Sequence, residues 1–483
     1  GRVQSVAVRL ICDRESEIQA FRAEEYWTIE ADLAKAGSHA KRDAFRAQLV
    51  QRGGKKISLK NEAQSTEIVA ALHGAAYSVS DVRTKRTARQ PAPPFTTSTL
   101  QQEAGRKLGF TAKRTMAVAQ QLYEGVDLGR EGPVGLITYM RTDSLNVATT
   151  AQAEARDYIK GQWGRDYVPE KPRFYKTRSK GAQEAHEAVR PTSSRRDPNS
   201  VKPFLASEQL RLYKLIWDRF VASQMAAAQL DQTTVDVLAK QQATGNGQQG
   251  NLGPGTRDAG PERDEFLFRA SGSVVVFAGF TALYSEGRDE SEEKEGRLPV
   301  LAAADRLDLL KLLPEQHFTQ PPPRYTEATL IKMLEELGIG RPSTYAPTLA
   351  TIQERRYVEK VQKQLKPTEL GLAVNGLLVD QFPNIVDPKF TSNLEEELDD
   401  VASGERPWVP VVRNFYGPFD QRLKEVGETV ERVKVADEMT DQLCPVCGRN
   451  MVIKLGRFGR FLACSGFPEC KHTEKIQNKL GVK

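Results

Sequence analysis

Four of the five cysteines fall within residues 444–470: Cys444-Pro445-Val446-Cys447, sixteen residues, Cys464, five residues, Cys470. Two cysteine pairs at these spacings suit a tetrahedral structural zinc site. Four thiolates close the coordination shell and leave no open position for substrate, so such a metal folds the segment and performs no reaction. Four unrelated buried or redox cysteines are the plain alternative. Around the ligands Arg457, Phe458, Arg460 and Phe461 alternate cations with aromatics. That pattern suits a single nucleic-acid strand through phosphate contact and base stacking, and equally the core of a small sheet.

The second set lies in Gly135-Leu136-Ile137-Thr138-Tyr139-Met140-Arg141-Thr142-Asp143-Ser144. A phenol titrates near pH 10, so as a nucleophile at neutral pH it needs a base or a nearby cation, and Arg141 is a permanent one. An arginine also binds the non-bridging oxygens of a phosphodiester and stabilises charge as it builds. On these residues alone, a tyrosine anchoring a strand end is the simpler account. The run reads as a strand or loop leading into a helix capped by Asp143 or Ser144.

The elements that must position these groups come from a chain of 483 residues, long enough for three to four domains at roughly 100–200 residues each. Hydrophobic residues make up 39% and charged residues 27%, a globular composition, and no apolar run approaches a membrane span. The expectation is a soluble protein with no membrane partner. Net charge is only +6, weak evidence for a polyanionic partner. Its location says more: residues 441–483 hold eight Lys or Arg against three acids. Clustered cysteines with Cys12 alone elsewhere argue against a secreted disulfide scaffold and for the cytoplasm. The chain opens Gly-Arg-Val-Gln-Ser inside a helical pattern, without an initiator Met, which predicts a fragment of a longer protein.

Val3, Val6, Ala7, Leu10, Ile11, Ile18 and Phe21 recur at helical spacing. Strand formers follow in 26–33 and 75–84, then a Pro-rich boundary at Pro91, Pro93 and Pro94. Ser98 with Gln101 makes a capping-box pattern, and Thr111 opens a helix through Met116, Ala119 and Leu122. Residues 98 to about 223 read as helical. Strands return at 233–238 and 273–277 around a Gly/Gln/Pro-rich stretch, 243–263, which reads as a mobile hairpin loop. From about 303 the pattern is helical again. The order is nearly symmetric about its middle, which implies nested insertions: a helical unit at the end of a β-rich arm, rooted in a second helical unit built from both chain ends.

Five motifs in order resemble the type IA DNA topoisomerases of bacteria: G-R-V-Q-S-V-A-V-R-L at the start, Pro94 to Gln102, the G-L-I-T-Y-M-R-T-D-S run, Ala182 to Pro191 and Gly338 to Tyr345. The resemblance spans essentially the whole chain, with a C-terminal four-cysteine ribbon, and is weakest at 243–263. It implies a multidomain α+β fold, a toroidal core of two helical domains joined by a β-rich arm. The implied boundaries are 1–26 with 303–436 for a split helical base, 27–97 with 224–302 for the split arm, 98–223 for the helical domain bearing the tyrosine, and 437–483 for the zinc ribbon.

The resemblance further implies ATP-independent relaxation of negatively supercoiled DNA through a transient 5′-phosphotyrosine. Tyr139 matches the family nucleophile, Arg141 the arginine that positions the phosphate, and His186 the histidine near the active site, with Arg190 a supporting cation. Arg341, Ser343 and Thr344 match a phosphate-binding turn, in keeping with hydroxyls and an arginine beside two glycines. Arg355 lies on the following helix, and Arg2 and Gln4 face the same strand. The implied partners are single-stranded and negatively supercoiled DNA, the implied state is a monomer, and the implied location is the cytoplasmic nucleoid. Structural Zn²⁺ is expected in the ribbon. Mg²⁺ is expected of the full-length enzyme, through an N-terminal toprim domain whose D-x-D pair has no counterpart in this sequence, so the fragment alone should be deficient. The rival reading is a single-stranded-DNA-binding zinc-ribbon protein that kept the scaffold without the chemistry.

Overall fold

The computed structural model describes residues 1–37, 44–176, 186–241, 265–287, 297–429, 438–456 and 459–475. The 243–263 stretch lies outside them. The chain begins with helix α1 (Arg2–Ala20), which buries Val6, Ala7, Val8, Ile11 and Cys12 on one face. Strands β1 (Glu25–Lys35), β2 (Phe45–Arg52) and the two-residue β3 (Lys55–Lys56) follow. Helix α2 (Glu62–Leu72) is capped by Asn61, whose side chain accepts the Gln64 N–H. Strand β4 (Ala75–Arg89) then runs out to the prolines.

The next unit is helical: α3 (Thr97–Glu103), α4 (Ala112–Glu124), the tiny β5 (Val126–Asp127) and β6 (Pro133–Val134), α5 (Thr149–Trp163), α6 (Pro198–Val201) and α7 (Ser207–Ser223). Thr111 caps α4 as its sequence predicts. The capping box of α3, however, is Thr96 with Thr99, two residues ahead of the expected Ser98 and Gln101. The run Thr96-Thr97-Ser98-Thr99 offers overlapping caps, and the Ser98 hydroxyl is committed instead to Glu335. No helix is capped by Asp143 or Ser144; residues 141–148 are irregular and α5 starts at Thr149. A core of Phe95, Leu100, Leu122, Leu136, Ile137, Met140, Tyr213 and Phe220 holds the unit together.

Strands β7 (Ala228–Gln241), β8 (Glu265–Phe277) and β9 (Arg306–Phe318) return to β1–β4. The order β1-β9-β4-β7-β8-β2, with β2 pairing back to β1, closes six antiparallel strands on themselves, and β3 extends β2. Inward side chains alternate with outward ones, so Ile29, Ala31, Leu33, Phe45, Leu49, Tyr77, Val79, Val237, Phe266 and Phe268 fill the interior. The expectation of helix from about 303 fails here. Residues 306–318 form β9, paired with β1 from Glu25↔Phe318 to Lys35↔Leu307, so the sheet extends sixteen residues past the expected end of the arm at 302. Leucine-rich Leu307–Leu313 reads as helical locally, but pairing with β1 overrides propensity.

Past Val82, β4 loses its buried face, and β4, β7 and β8 continue as a ribbon. Its far end joins the helical unit, whose core takes in Ala228, Phe280 and Tyr284.

The remaining helices are α8 (Glu327–Glu336), α9 (Tyr345–Glu354), α10 (Glu369–Gln381), α11 (Pro388–Ala402) and α12 (Trp408–Thr429), with the hairpin β10 (Val358–Val361) and β11 (Gln364–Pro367) among them. α1 packs with α8 and α9 in one core through Val6, Ile11, Leu330, Ile331 and Leu349, so the two ends of the sequence build one unit. A final antiparallel sheet, β12 (Glu438–Leu443), β13 (Asn450–Gly456), β14 (Gly459–Cys464) and β15 (Thr473–Lys475), carries the cysteines. Among the described residues no helix is long and apolar enough to cross a membrane.

Candidate active site and nucleic-acid interface

Residues 135–140 are irregular, with one bridge from Ile137 to Pro191, and are anchored to the helical unit by their buried side chains. Leu136, Ile137 and Met140 are buried, and Tyr139, between them, is 37% exposed. Gly135 admits the close crossing, since a Cβ there would stand 2.8 Å from the Tyr123 carbonyl oxygen. Thr138 fastens this run to residues 188–190: its N–H donates to the Arg190 carbonyl at 2.9 Å, its Oγ1 donates to the Ala188 carbonyl at 2.7 Å and accepts the Arg190 N–H at 3.0 Å. Tyr139 is thereby brought against His186, ring centroids 5.6 Å apart, and against Tyr123 at 5.5 Å in an edge-on contact. Tyr123, on α4, is a neighbour that spacing in the sequence gave no means of finding.

Arg141 is exposed and has no hydrogen-bond or ion-pair partner among the described residues. Arg190 is the opposite: it is 9% exposed, its Nε donates to Glu187 at 2.5 Å, its Nη1 to the Pro191 carbonyl at 2.9 Å, and its guanidinium lies over Phe220. Its place is under the His186 segment, built into the floor of the site.

A groove of about 480 Å³ opens where α1, α9, α11 and α12 meet, and it brings together Arg2, Gln4, Ser343 and Thr344. The turn that presents the last two depends on Gly338 and Gly340, at φ +71° and +85°, where an added Cβ would meet Ser392 Oγ at 2.8 Å or the Tyr345 ring at 2.9 Å. Thr344 Oγ1 accepts the Arg341 N–H at 2.8 Å and closes the turn. Arg341 is held by Asp399, 2.5 Å from Nη2 and 3.2 Å from Nε, and lies 3.6 Å from Glu395. Arg2 is paired with buried Glu395, while its own Nε is buried without a hydrogen-bond partner among the described residues. These acids come from α11, over fifty residues away, and no motif pointed to them. Arg355 is exposed at the end of α9, outside the groove's lining, and after burial its charge is the other influence lowering the Gly1 ammonium.

Tyr345, the residue after the groove's Thr344, lies within the electrostatic reach of Asp143 in the tyrosine loop. Tyr345, buried on the first turn of α9, has its phenol pushed up by burial first, then by Glu335, with Asp143 and Glu395 adding and Arg341 opposing. Ser98 on α3 donates to Glu335 on α8 at 2.5 Å, and Gln102 donates to the same carboxylate at 3.3 Å. The Glu335 carboxyl is raised by burial first, against these two hydrogen bonds, with Glu336 and Asp143 adding to the rise.

In the ribbon the four sulfurs of Cys444, Cys447, Cys464 and Cys470 lie within 4.8 Å of one another, with Cys444–Cys470 at 3.8 Å and Cys447–Cys464 at 3.2 Å. Tetrahedral thiolates around zinc at about 2.3 Å stand about 3.8 Å apart, so the set fits Zn²⁺. The Arg449 backbone N–H draws the Cys447 thiol down to about 7, toward the ligating form. Phe461 is half-buried and lines a small cleft of about 230 Å³ with Phe467, Lys454 and Lys471. Arg457 and Phe458 lie outside the described residues, and Arg460 is described only as part of β14. Among the described residues the cysteine quartet is the one group of three or more potential ligands close enough to hold an ion, and thiolates are not ligands for Mg²⁺, the ion expected of this enzyme family.

Comparison with known proteins agrees with this geometry along the chain. A family model described as DNA topoisomerase matches residues 1–413, and one described as Topoisomerase DNA binding C4 zinc finger matches residues 441–479. The structure of full-length topoisomerase I from Thermotoga maritima superposes with a TM-score of 0.71 at 32% identity, covering 99% of this chain and 71% of that one. The motifs that meet around Tyr139 and the groove thus sit in the scaffold of an isomerase that relaxes DNA, and the chain belongs to the type IA DNA topoisomerase family.

Proposed function

We propose that Tyr139 is the nucleophile of this topoisomerase. Its Oη attacks a phosphodiester of single-stranded DNA, the Oη–P bond forms as the P–O3′ bond breaks, the phenolic proton is lost and the 3′-oxygen leaves as a hydroxyl. The 5′-phosphate stays on the tyrosine, and reversal reseals the strand without ATP, because the phosphodiester energy is kept in the new ester. Arg141 sits two residues on to bind the non-bridging oxygens and the charge that builds on them. His186, against the Tyr139 ring, assists proton movement, with Arg190 supporting its segment from below.

The strand lies in the groove, where Arg2, Gln4, Arg341, Ser343 and Thr344, with Arg355 beyond its lining, hold phosphates 5′ or 3′ to the cut. Phe461 of the zinc ribbon, with Phe458, Arg457 and Arg460, binds single strands beyond it. Negatively supercoiled DNA, which unpairs readily, is the natural substrate, and the tyrosine unit swings on the β4/β7/β8 ribbon to pass a strand. Our reading is of a monomer acting at the nucleoid, with metal-dependent activity completed by a toprim domain.

The observation that carries this reading is the pairing of an exposed Tyr139, held against His186, with an exposed Arg141 that has no partner among the described residues. The test incubates a labelled single-stranded oligonucleotide with the chain, alone and with an added toprim domain, and looks for a protein-linked band on a denaturing gel. A band that Tyr139→Phe removes supports the proposal. Binding without any band in either arm overturns it in favour of a DNA-binding scaffold.

A further inference from the structure

Thr97, the first residue of α3, is fully buried and makes an unusual set of bonds. Its Oγ1 donates to the Met140 carbonyl at 2.6 Å and accepts the Thr142 N–H at 2.8 Å, while its own N–H donates to the Thr142 carbonyl at 2.8 Å. One side chain therefore fixes the backbone on both sides of Arg141. Residues 141–148 form no helix or strand, so no ladder of their own would hold Arg141 at a set distance from Tyr139. On the other side of Tyr139, Thr138 ties the run to the His186 segment, and further along the loop the Asn146 carbonyl accepts the Ala188 N–H at 2.8 Å.

The same helical turn points two ways. Thr96 caps α3, Thr97 grips the arginine loop, and Ser98 donates to Glu335 on α8 in the other helical unit. A shift of α3 away from α8 carries the arginine loop with it.

We propose that Thr97 is a positioning residue for strand cleavage: it sets the spacing of Arg141 from Tyr139 and, through Ser98, ties that spacing to contact between α3 and α8. The proposal rests on the reading of Tyr139 as nucleophile. A hydroxyl that serves two buried backbone groups has no apolar substitute, since a methyl leaves the Met140 carbonyl and the Thr142 N–H unpaired. Displacement of a catalytic group by about 1 Å slows a reaction by roughly 100-fold.

The experiment measures the rate of covalent adduct formation and, separately, oligonucleotide affinity for the wild-type chain, T97V, T97S and Y139F, each with and without added toprim domain. T97V is expected to form adduct roughly 100-fold more slowly with affinity unchanged, and T97S, which keeps the hydroxyl, to return close to the wild-type rate. A wild-type rate in T97V, with Y139F inactive, overturns the inference and leaves the tyrosine reading standing. T97S as slow as T97V also overturns it, because the hydroxyl is then not the operative group. Where T97V does not fold, T97C takes its place: a slowed rate supports the inference and a wild-type rate overturns it. Adduct in Y139F, or none from wild type in either arm, overturns the tyrosine reading and the inference together.

Discussion

Arg141 and Arg341 each stand on an irregular segment ahead of a helix, yet their surroundings differ in kind. Arg141 is exposed with no partner among the described residues, whereas Arg341 is gripped by Asp399 and neighboured by Glu395, which also pairs with Arg2. A guanidinium already satisfied by a carboxylate offers a phosphate only what exchange allows. A free one delivers its full charge. In the proposed mechanism the groove must hold a strand and release it within each cycle, while the reacting phosphate needs its strongest stabilisation only as charge builds. Attenuated arginines in the groove and an unattenuated one beside Tyr139 suit those two demands.

Changes at the tyrosine end should stop chemistry and spare binding. Tyr139→Phe is expected to abolish covalent adduct on a denaturing gel while fluorescence anisotropy reports unaltered oligonucleotide affinity. Arg141→Ala should slow adduct formation by roughly 100- to 1000-fold, the usual effect of removing one charge-stabilising donor, again with little change in affinity. Equal losses in rate and affinity for Arg141→Ala would erase the distinction between the two arginines.

Changes elsewhere should do the reverse. Chelating zinc is expected to unfold the ribbon, seen as loss of its backbone NMR signals, and to weaken oligonucleotide binding roughly ten-fold, about the worth of one stacked base, without altering the rate of adduct formation at saturating DNA. Asp399→Asn releases Arg341 from its main partner, so affinity should rise about five-fold, equivalent to roughly 1 kcal/mol, and the slope of log affinity on log salt should steepen by about 0.7 for one additional phosphate contact. A fall in affinity would mean that Asp399 orients Arg341 toward the strand, and the contrast drawn above would have to be abandoned.

The smallest effect concerns the interface between the two helical units. The Glu335 carboxyl is raised, so its neutral form is favoured when α3 and α8 are together. The contact is therefore tightest at low pH and loosens as pH rises through that raised value. Glu335 remains exposed overall, which keeps the effect to less than about two-fold in the closed population. Spin-label distances between α4 and α9 as a function of pH should show it, and Glu335→Gln should flatten the curve.

Legibility in the sequence followed the range of the interactions. The cysteine quartet was readable because metal geometry is written in short spacings, and the tyrosine run because its motif is contiguous. Thr111 announced α4 since a cap is local. By contrast, β9 was hidden because Leu307–Leu313 obeys helical preference until β1, about 280 residues earlier, supplies a partner. The acids behind Arg2 and Arg341 were equally invisible, arriving from α11 by packing alone. Arg190 shows the same limit in reverse: its motif marked it as a supporting cation near the strand, and only the fold shows its guanidinium turned inward over Phe220.

The long pairing of β4 with β7, from Ala75↔Gln241 to Arg89↔Ala228, means that the chain enters and leaves the tyrosine unit side by side. In engineering terms the unit is a cassette. Its two attachment points are already the neighbouring ends of a hairpin, and because Phe280 and Tyr284 beyond β8 also pack in its core, an exchange with a relative's unit would have to carry residues 278–287 along with 90–227.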